Sequence, residues 1–423
     1  MKEPHVFVGH RVLLRESGDG REDDKNRGQE SSHASSIERP HRPGITNIPA
    51  VKRRIAAFGL FVVIATLSSS DEPIPPLRIY GLGDMGEPGS TLNRSVELLA
   101  AAVKRAMSSD DAVVYLGDNF YPDGLQGGDD KRVPRVVRGV LDDSGLRGVQ
   151  RSFGPDRVLA VPGNHEYYEH LVFGRLPIGF SEKGDGVRTR AAEFGWRYAG
   201  GRADVVYLNA PDGARVALFT FDSALGVAGS DERIDRLMEE LGRLLKESEG
   251  RTDWRVLAMH HPIETRGDHG HSFDREEEHD WFRRHSFPHK LDTCSRTFQH
   301  FASRLSRVIT SSGARVDAVL SGHDHNLQIL PLTPKDAFQP RLQIVSGSAS
   351  KVHGETRRLG PGEFLNATSG FVEIFATKER LGATFHADTP CLFDSGGRSG
   401  FRTFEMSAGG PIVASSPCAV GPR

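Results

Sequence analysis

Five short apolar segments of this sequence each run into a cluster of glycine, aspartate, asparagine or histidine, and this repeated order constrains the fold most strongly. The segments span residues 77–80, 112–116, 158–161, 255–259 and 316–320, and each is predicted to be a buried strand. In open α/β sheets, ligands bind outside the carboxyl ends of the strands. The order therefore predicts an α/β fold in which polar residues far apart in sequence converge at one edge of a sheet.

The polar residues at these strand ends combine oxygen and nitrogen ligands. Carboxylate and phenolate oxygens suit hard cations, whereas imidazole suits iron, zinc or manganese. Two transition-metal ions about 3.5–4 Å apart need such a mixed set, with one carboxylate between them to reduce their repulsion. Taken singly, each cluster has a plainer interpretation, such as a turn at Gly-Asp or an exposed pair at His260-His261. The ordered set favours a metal centre, and its candidates are Asp84, Asp118, Tyr121, Asn164, His165, His260, His323 and His325.

Amphipathic helices and further strands are predicted between these clusters. Apolar residues recur at helical spacing over 92–107, where Ser90 is the predicted N-cap, and again over 234–245. Cys294 is predicted to open another helix, and Asp222 is interpreted as structural rather than catalytic. Additional strands are predicted at 205–208, 216–221, 342–345 and 371–376.

Composition excludes some classes of protein. The formal net charge of −2 gives no reason to expect nucleic-acid binding. Three cysteines are too few for a disulfide scaffold. One pairing that the sequence allows joins Cys391 to Cys418 and leaves Cys294 over.

The N-terminal part of the sequence differs from the rest. Residues 1–50 are polar and show no sustained period, so we expect them to be disordered or an extension absent from the natural protein, with Val51 as the true start. Residues 51–71 join a basic start, an apolar run and small polar residues, which is typical of a secretory signal. The run is shorter than the about 20 residues of a membrane span, although a buried helix or an uncleaved anchor remains an alternative. We therefore expect a secreted or periplasmic protein, with a catalytic domain over 72–406 and a tail over 407–423.

In their order, the five clusters resemble those of the calcineurin-like metallophosphoesterases. The tyrosine three residues after Asp118 narrows the resemblance to the purple acid phosphatases, and residues 117–121 and 322–328 are similar to the small, tartrate-resistant acid phosphatase branch. The resemblance covers roughly residues 77–406 and implies a central β-sandwich of mixed sheets flanked by helices. The clusters are Asp84-Met85-Gly86, Gly117-Asp118-Asn119-Phe120-Tyr121, Gly163-Asn164-His165-Glu166, His260-His261-Pro262 and Gly322-His323-Asp324-His325.

The resemblance also implies two metal ions and their ligands. The first ion would be Fe(III), held by Asp84, Tyr121 and His325. The second would be Fe(II), zinc or manganese, held by Asn164, His260 and His323. Asp118 would bridge the two ions.

Two further histidines receive catalytic roles from the resemblance. A metal-bound hydroxide would attack phosphorus, since metal binding lowers the pKa of water from about 15.7 toward 7. His165 matches no ligand position, so it would contact the phosphate or help to protonate the leaving group. His269 lies nine residues after His260, where relatives also place a histidine near the substrate.

The implied reaction is the hydrolysis of phosphate monoesters by an acid phosphatase. A phosphodiesterase of the same superfamily remains an alternative, because the metal site does not fix the number of ester bonds. A catalytically silent metal-binding protein is the alternative from another class. The histidine-rich segment 266–289 is either a solvated surface insertion or a lid at the mouth of the site, and His353 lies in a loop that could approach it.

Overall fold

The predicted strands form the framework of the structure, a computed structural model that describes residues 74–125, 131–170, 177–181, 185–270, 288–332, 340–354, 359–395 and 399–418. The five strands that carry the polar clusters all form, each within two residues of its predicted bounds. In chain order the strands are β1 Leu77–Leu82, β2 Ala112–Leu116, β3 Val158–Val161, β4 Tyr168–His170, β5 Pro177–Phe180, β6 Arg197–Tyr198, β7 Ala203–Asn209, β8 Arg215–Phe221, β9 Trp254–Met259, β10 Ala318–Ser321, β11 Leu327–Pro331, β12 Leu342–Ser346, β13 Phe364–Asn366, β14 Gly370–Ala376, β15 Arg380–Ala387, β16 Leu392–Phe393, β17 Gly400–Ser407 and β18 Ile412–Pro417.

Helices follow the amphipathic segments. The longest ones keep their apolar residues on one buried face, as the helical spacing predicts. The α-helices are α1 Ser90–Ala106, α2 Arg132–Val137, α3 Leu146–Gln150, α4 Gly186–Phe194, α5 Ser223–Ala228, α6 Asp231–Ser248 and α7 Arg296–Ser312. Arg138–Asp143 is a π-helix, and short 3₁₀ helices span Pro155–Arg157, His165–Tyr167, Asp268–Gly270 and Pro288–Leu291.

One large mixed sheet contains two runs of parallel strands. β1, β2, β3 and β6 form the first run, and β8, β9, β10 and β12 form the second. Antiparallel strands connect them, beginning with β14 beside β1 and ending with β11 beside β12. The two runs carry the five polar clusters at their carboxyl ends.

Successive side chains of each strand point to opposite faces of the sheet, and the buried apolar side chains form three separate cores. Ile79 in β1 and Val256 in β9 belong to the same inner core, so the two parallel runs face each other across it. The next residues point the other way: Tyr80 packs with α1, and Leu257 packs with α6 and α7. The result is a β-sandwich of mixed strands flanked by helices, which confirms the predicted fold class.

Two helix starts differ from the sequence-based expectation. The N-cap of α1 is Gly89, with no side-chain hydrogen bond, so the prediction of Ser90 as N-cap is wrong by one residue. Helix α7 begins at Arg296, and its N-cap Ser295 accepts a hydrogen bond from the Phe298 N–H at 3.0 Å. A hydroxyl at the N-cap satisfies a backbone donor that Cys294 could satisfy only weakly.

The sheet continues past Met406, where the sequence predicts the start of a tail. Strand β18 pairs antiparallel with β17 along most of its length. A disulfide joins Cys391 to Cys418 with their Cα atoms 6.2 Å apart, so this one of the pairings that the sequence allows is the pairing that forms. The covalent link and the added strand therefore make the C-terminal segment part of the sheet.

Several expectations fall on other parts of the chain. The predicted extension and signal-like segment at 1–71 lie outside the described residues, as do residues 271–287 of the histidine-rich insertion. Within the described ranges, no helix combines the length and the apolar character needed to cross a membrane.

Candidate metal centre

The backbone turns sharply where the clusters follow their strands. Asp84, Asp118 and His323 all have positive φ angles, of 58°, 50° and 72°. Such backbone is uncommon for residues other than glycine, and it concentrates at functional sites. Three candidate ligands therefore share a conformation that the surrounding structure has to stabilise.

A first group of side chains converges on the Tyr121 hydroxyl. Its oxygen lies 3.1 Å from Asp84 Oδ1, 3.1 Å from Asp118 Oδ2 and 3.2 Å from His325 Nε2. His325 Nε2 is also 3.3 Å from Asp84 Oδ1. One phenol, two carboxylates and one imidazole thus point their donor atoms at a common position.

A second group converges on His260. Its Nε2 atom lies 2.9 Å from Asn164 Oδ1, 3.2 Å from His323 Nδ1 and 3.5 Å from Asp118 Oδ1. The two oxygens of Asp118 therefore face different groups, Oδ2 the first and Oδ1 the second. Asp84, Asp118 and His260 form one buried cluster able to hold a metal ion.

The strand ends hold these side chains in place. The Leu116 carbonyl lies 2.8 Å from His260 Nδ1, and an Nδ1–H donated there leaves the Nε2 lone pair for a ligand. The approach requires glycine at position 117, which has a φ of +89° and where a Cβ would lie only 2.5 Å from His260 Nδ1. The His323 N–H donates to Asp84 Oδ2 at 2.8 Å, which ties the two strand ends together.

Burial dominates the electrostatics of the centre. It raises the pKa of Asp84 far above its usual range; His260 opposes this shift and Asp118 adds to it. It also raises the pKa of Tyr121, again with the help of Asp118. Burial and the charge of His269 together lower the pKa of His325 to about 4, against the opposing charge of Asp118. Neutral imidazole is the form that binds a metal, and a cation in this buried site would favour the ionised forms of Asp84 and Tyr121, because metals bind deprotonated ligands.

A family model described as calcineurin-like phosphoesterase matches residues 77–327, which include all of these side chains. The chain belongs to this family. It is therefore a hydrolase of phosphate esters, as the motifs predict.

Curated relatives carry the name of the branch that the motifs resemble. The tartrate-resistant acid phosphatase type 5 of Sus scrofa is 24% identical over 355 residues, which cover 78% of this chain and 87% of that protein. The Homo sapiens protein of the same name is 27% identical over 278 residues, 62% of this chain and 71% of that protein. A solved structure described as "Structure of PhoD" has a TM-score of 0.51 at 14% identity, covering 82% of this chain and 73% of that one, and shows the fold alone.

The two histidines with predicted catalytic roles lie beside the two groups of candidate ligands. His165 Nε2 is 3.7 Å from Asp118 Oδ2, and the rings of His165 and Tyr121 stand nearly perpendicular with their centroids 4.6 Å apart. The His269 ring packs on His323 with centroids 3.9 Å apart. Both side chains stay partly exposed, which suits groups that meet a substrate.

His269 is oriented by a residue that the sequence did not single out. Its Nδ1 lies 2.7 Å from Asp292 Oδ1. Burial lowers the pKa of His269, but the hydrogen bond to Asp292 and the charges of Asp324 and Asp292 outweigh burial and raise it to about 9. Asp292 follows a segment without recognisable periodicity, so no sequence signal marks it.

Glu166 is the second residue that sequence reasoning missed. Its carboxylate accepts hydrogen bonds from the N–H groups of Gly163 at 2.6 Å, Asn119 at 2.8 Å and Asp118 at 3.1 Å. It also accepts from Phe120 at 3.3 Å. The side chain is fully buried and links the loop after β2 to the loop after β3. The sequence signal that could have indicated Glu166 is its place directly after His165 in a cluster of candidate ligands.

Two other expectations concern described residues, His353 and Asp222. His353 approaches the centre, with its ring 4.5 Å from that of His325. Asp222 is structural, because it caps α5 through the Leu225 N–H and accepts from the Tyr167 hydroxyl at 2.5 Å.

Proposed function

We propose that this chain hydrolyses phosphate monoesters at acidic pH with two metal ions, as a purple acid phosphatase. The proposal depends on the position of the Asp118 carboxylate, because its two oxygens face two separate groups of candidate ligands. A carboxylate in that position can hold two cations at once and reduce their repulsion.

The donor sets fit two different ions. Asp84, Tyr121 and His325 supply the harder set, which suits Fe(III). Asn164, His260 and His323 supply an amide oxygen and two imidazoles, which suit Fe(II), zinc or manganese. The imidazole nitrogens that face the two groups are His325 Nε2 in the first and His323 Nδ1 in the second.

The protein side chains would bind and orient the ester. When bound, the ions supply Lewis acidity and a lowered pKa for water. His165 and His269 stand at the two exposed flanks, where they can contact phosphoryl oxygens or donate a proton to the leaving group. The Asp292 carboxylate fixes the ring orientation of His269.

We also propose that the protein works outside the cytosol. The signal-like pattern at 51–71 motivates this proposal. The Cys391–Cys418 disulfide supports it, because such bonds persist in oxidising compartments. N-terminal sequencing of the mature natural protein tests it: a start near residue 71 agrees, and a start far upstream of Ser68 contradicts export by this signal.

The activity is tested with nitrophenyl phosphate and bis(nitrophenyl) phosphate on iron-loaded protein from pH 4 to 8. We expect faster turnover of the monoester, with its maximum on the acidic side. Preference for the bis-ester would favour the phosphodiesterase alternative. An iron-loaded, folded protein without turnover of either ester would favour the catalytically silent alternative.

A further inference from the structure

A lysine outside the ligand set stands over the Tyr121 ring. Lys351 Nζ lies 3.5 Å from the centre of that ring, inside the range of a cation–π contact. The same nitrogen lies 3.2 Å from Glu87 Oε2. The ammonium group is therefore held between a carboxylate and the face of a proposed metal ligand.

The backbone around Lys351 is tied to the Asp84 turn. The Ser350 N–H donates to the Asp84 carbonyl at 3.1 Å, and the Ser350 hydroxyl donates to the same oxygen. The Glu87 N–H in turn donates to the Ser350 hydroxyl at 3.2 Å. Ser350 thus fixes Lys351 and Glu87 together, so the placement of the ammonium group is built into the loops of the centre.

We infer that Lys351 acts on the metal centre through Tyr121, holding the ring and lowering the energy of its electrons, rather than through the substrate. The inference rests on the proposed binding of Fe(III) by the Tyr121 phenolate. A positive charge over the face of an aromatic ring stabilises the ring electrons. That stabilisation increases when the phenol becomes a phenolate, because the ring then carries negative charge.

The absorption spectrum reports this effect directly. A ferric phenolate absorbs visible light by transfer of an electron from the ring to the iron. Lys351 lies over the ring, whereas an ion bound to the phenol oxygen lies beyond the edge of the ring. The ammonium group therefore stabilises the donor electrons more than the acceptor, and it raises the energy of the transition.

Contact with substrate is the competing role for Lys351. The two interactions that hold Nζ, with Glu87 and with the Tyr121 ring, argue against it. If Lys351 bound the phosphoryl group, its removal would weaken inhibition by inorganic phosphate and leave the spectrum unchanged.

The test compares Lys351→Met, Lys351→Arg and the control Lys378→Met in the iron-loaded, full-length protein. Lys378 lies two residues after the end of β14. The last residue of β14, Ala376, pairs with Leu77 at the start of β1, and the metal centre lies at the other end of β1. Lys378→Met therefore makes the same charge change far from Tyr121. Absorption is recorded per bound iron, and the inhibition constant of inorganic phosphate is measured for each variant.

We expect Lys351→Met to shift the band to longer wavelength. Lys351→Arg keeps the positive charge, so its band should lie close to the wild-type position, and the band of Lys378→Met should match the wild type. The phosphate inhibition constant should not change. An unshifted band in Lys351→Met overturns the inference. Loss of iron from that variant overturns it as well, because removal of a positive charge should not weaken binding of a cation.

The two proposals fail in different ways. A wild-type protein that binds iron but shows no visible band contradicts the ferric phenolate itself. A wild-type band that Lys351→Met leaves in place contradicts only the role of Lys351.

Discussion

Asp118 is the residue on which the two-ion proposal depends most directly. Asp118→Asn removes the charge but keeps an oxygen acceptor and a residue type that tolerates positive φ, whereas Asp118→Ala also strains the turn. We expect both variants to lose at least one of two ions and more than about 10³-fold in turnover. Metal analysis of the purified variants checks this. Two ions per chain in Asp118→Asn would show that Asp118 is not the bridge.

His165 separates metal binding from chemistry. His165→Ala should keep both ions, because the ring lies beside Asp118 rather than within either ligand group. Turnover should fall by about 10²–10⁴-fold through loss of general acid–base help. His300→Ala, on the exposed face of α7, is the matched control. Loss of an ion from His165→Ala, but not from the control, would make His165 a ligand.

Tyr121 decides the colour of the protein. A phenol has an ordinary pKa of about 10, and burial beside Asp118 and Asp84 raises the pKa of Tyr121 further. Only a strongly charged cation can displace its proton in acid, and Fe(III) suits this role. We expect the iron-loaded protein to be violet or pink and Tyr121→Phe to be colourless while it stays folded. A colourless wild type that is active with zinc or manganese alone would leave a metallophosphoesterase of another branch.

At the scale of elements, Glu166 couples the loops after β2 and β3. Its carboxylate accepts four backbone N–H groups, and an amide would turn its own donors toward some of them. Glu166→Gln should therefore weaken metal binding by about 10–100-fold, as loss of support behind a ligand does. Glu166→Asp, which keeps the charge, should recover part of the affinity. Competition with a chelator measures both variants, and unchanged affinity in Glu166→Gln would contradict this role.

The strand ends explain how much of the candidate site the sequence could predict. Glycine, aspartate and histidine directly after an apolar run fix both the strand and the edge where its polar residues lie, so Asp84, Asp118 and His323 could be found. Asp292 and Lys351 could not, because they lie in irregular loops whose approach depends on tertiary hydrogen bonds such as those of Ser350. The N-cap of α1 is Gly89 rather than the predicted Ser90, because helix ends often differ by one residue from the position that the sequence pattern indicates.

At the scale of the whole molecule, the pattern of apolar residues predicted the class but not the order of strands. The nearly continuous apolar runs of β1 and β9 indicate strands buried on both faces, and burial on both faces implies helices outside and a second layer inside. The pairing of β1 with β14 joins residues nearly 300 positions apart. No local signal encodes that partner, because many strands of similar apolar character could have paired with β1.

A buried cluster of charged side chains joins β1, near the start of the domain, to β14 and β15, near its end. Arg78 Nε in β1 lies 3.1 Å from Glu373 Oε1 in β14, and His386 Nε2 in β15 lies 2.8 Å from Glu373 Oε2. Burial alone would raise the pKa of Glu373, but the hydrogen bond and charge of His386, with the charge of Arg78, lower it below its ordinary value. The cluster therefore stabilises the fold while Glu373 is ionised.

The pH dependence of this contribution follows from the direction of the shift. A carboxyl group whose pKa is lowered by folding contributes its full stability above the unfolded pKa of about 4.3 and loses it as the pH falls through the folded value. Glu373→Gln should therefore lower the free energy of unfolding by about 2 kcal/mol at pH 7, and the difference from wild type should shrink below about pH 4. Denaturant unfolding at pH 7, 5 and 3 measures it. If the difference in free energy of unfolding between the variant and the wild type stays constant down to pH 3, Glu373 acts by packing rather than by its charge. If the difference persists at pH 5 and fades at pH 3, the contact between β1 and β14 keeps its charge-dependent stability at the acidic pH proposed for the reaction.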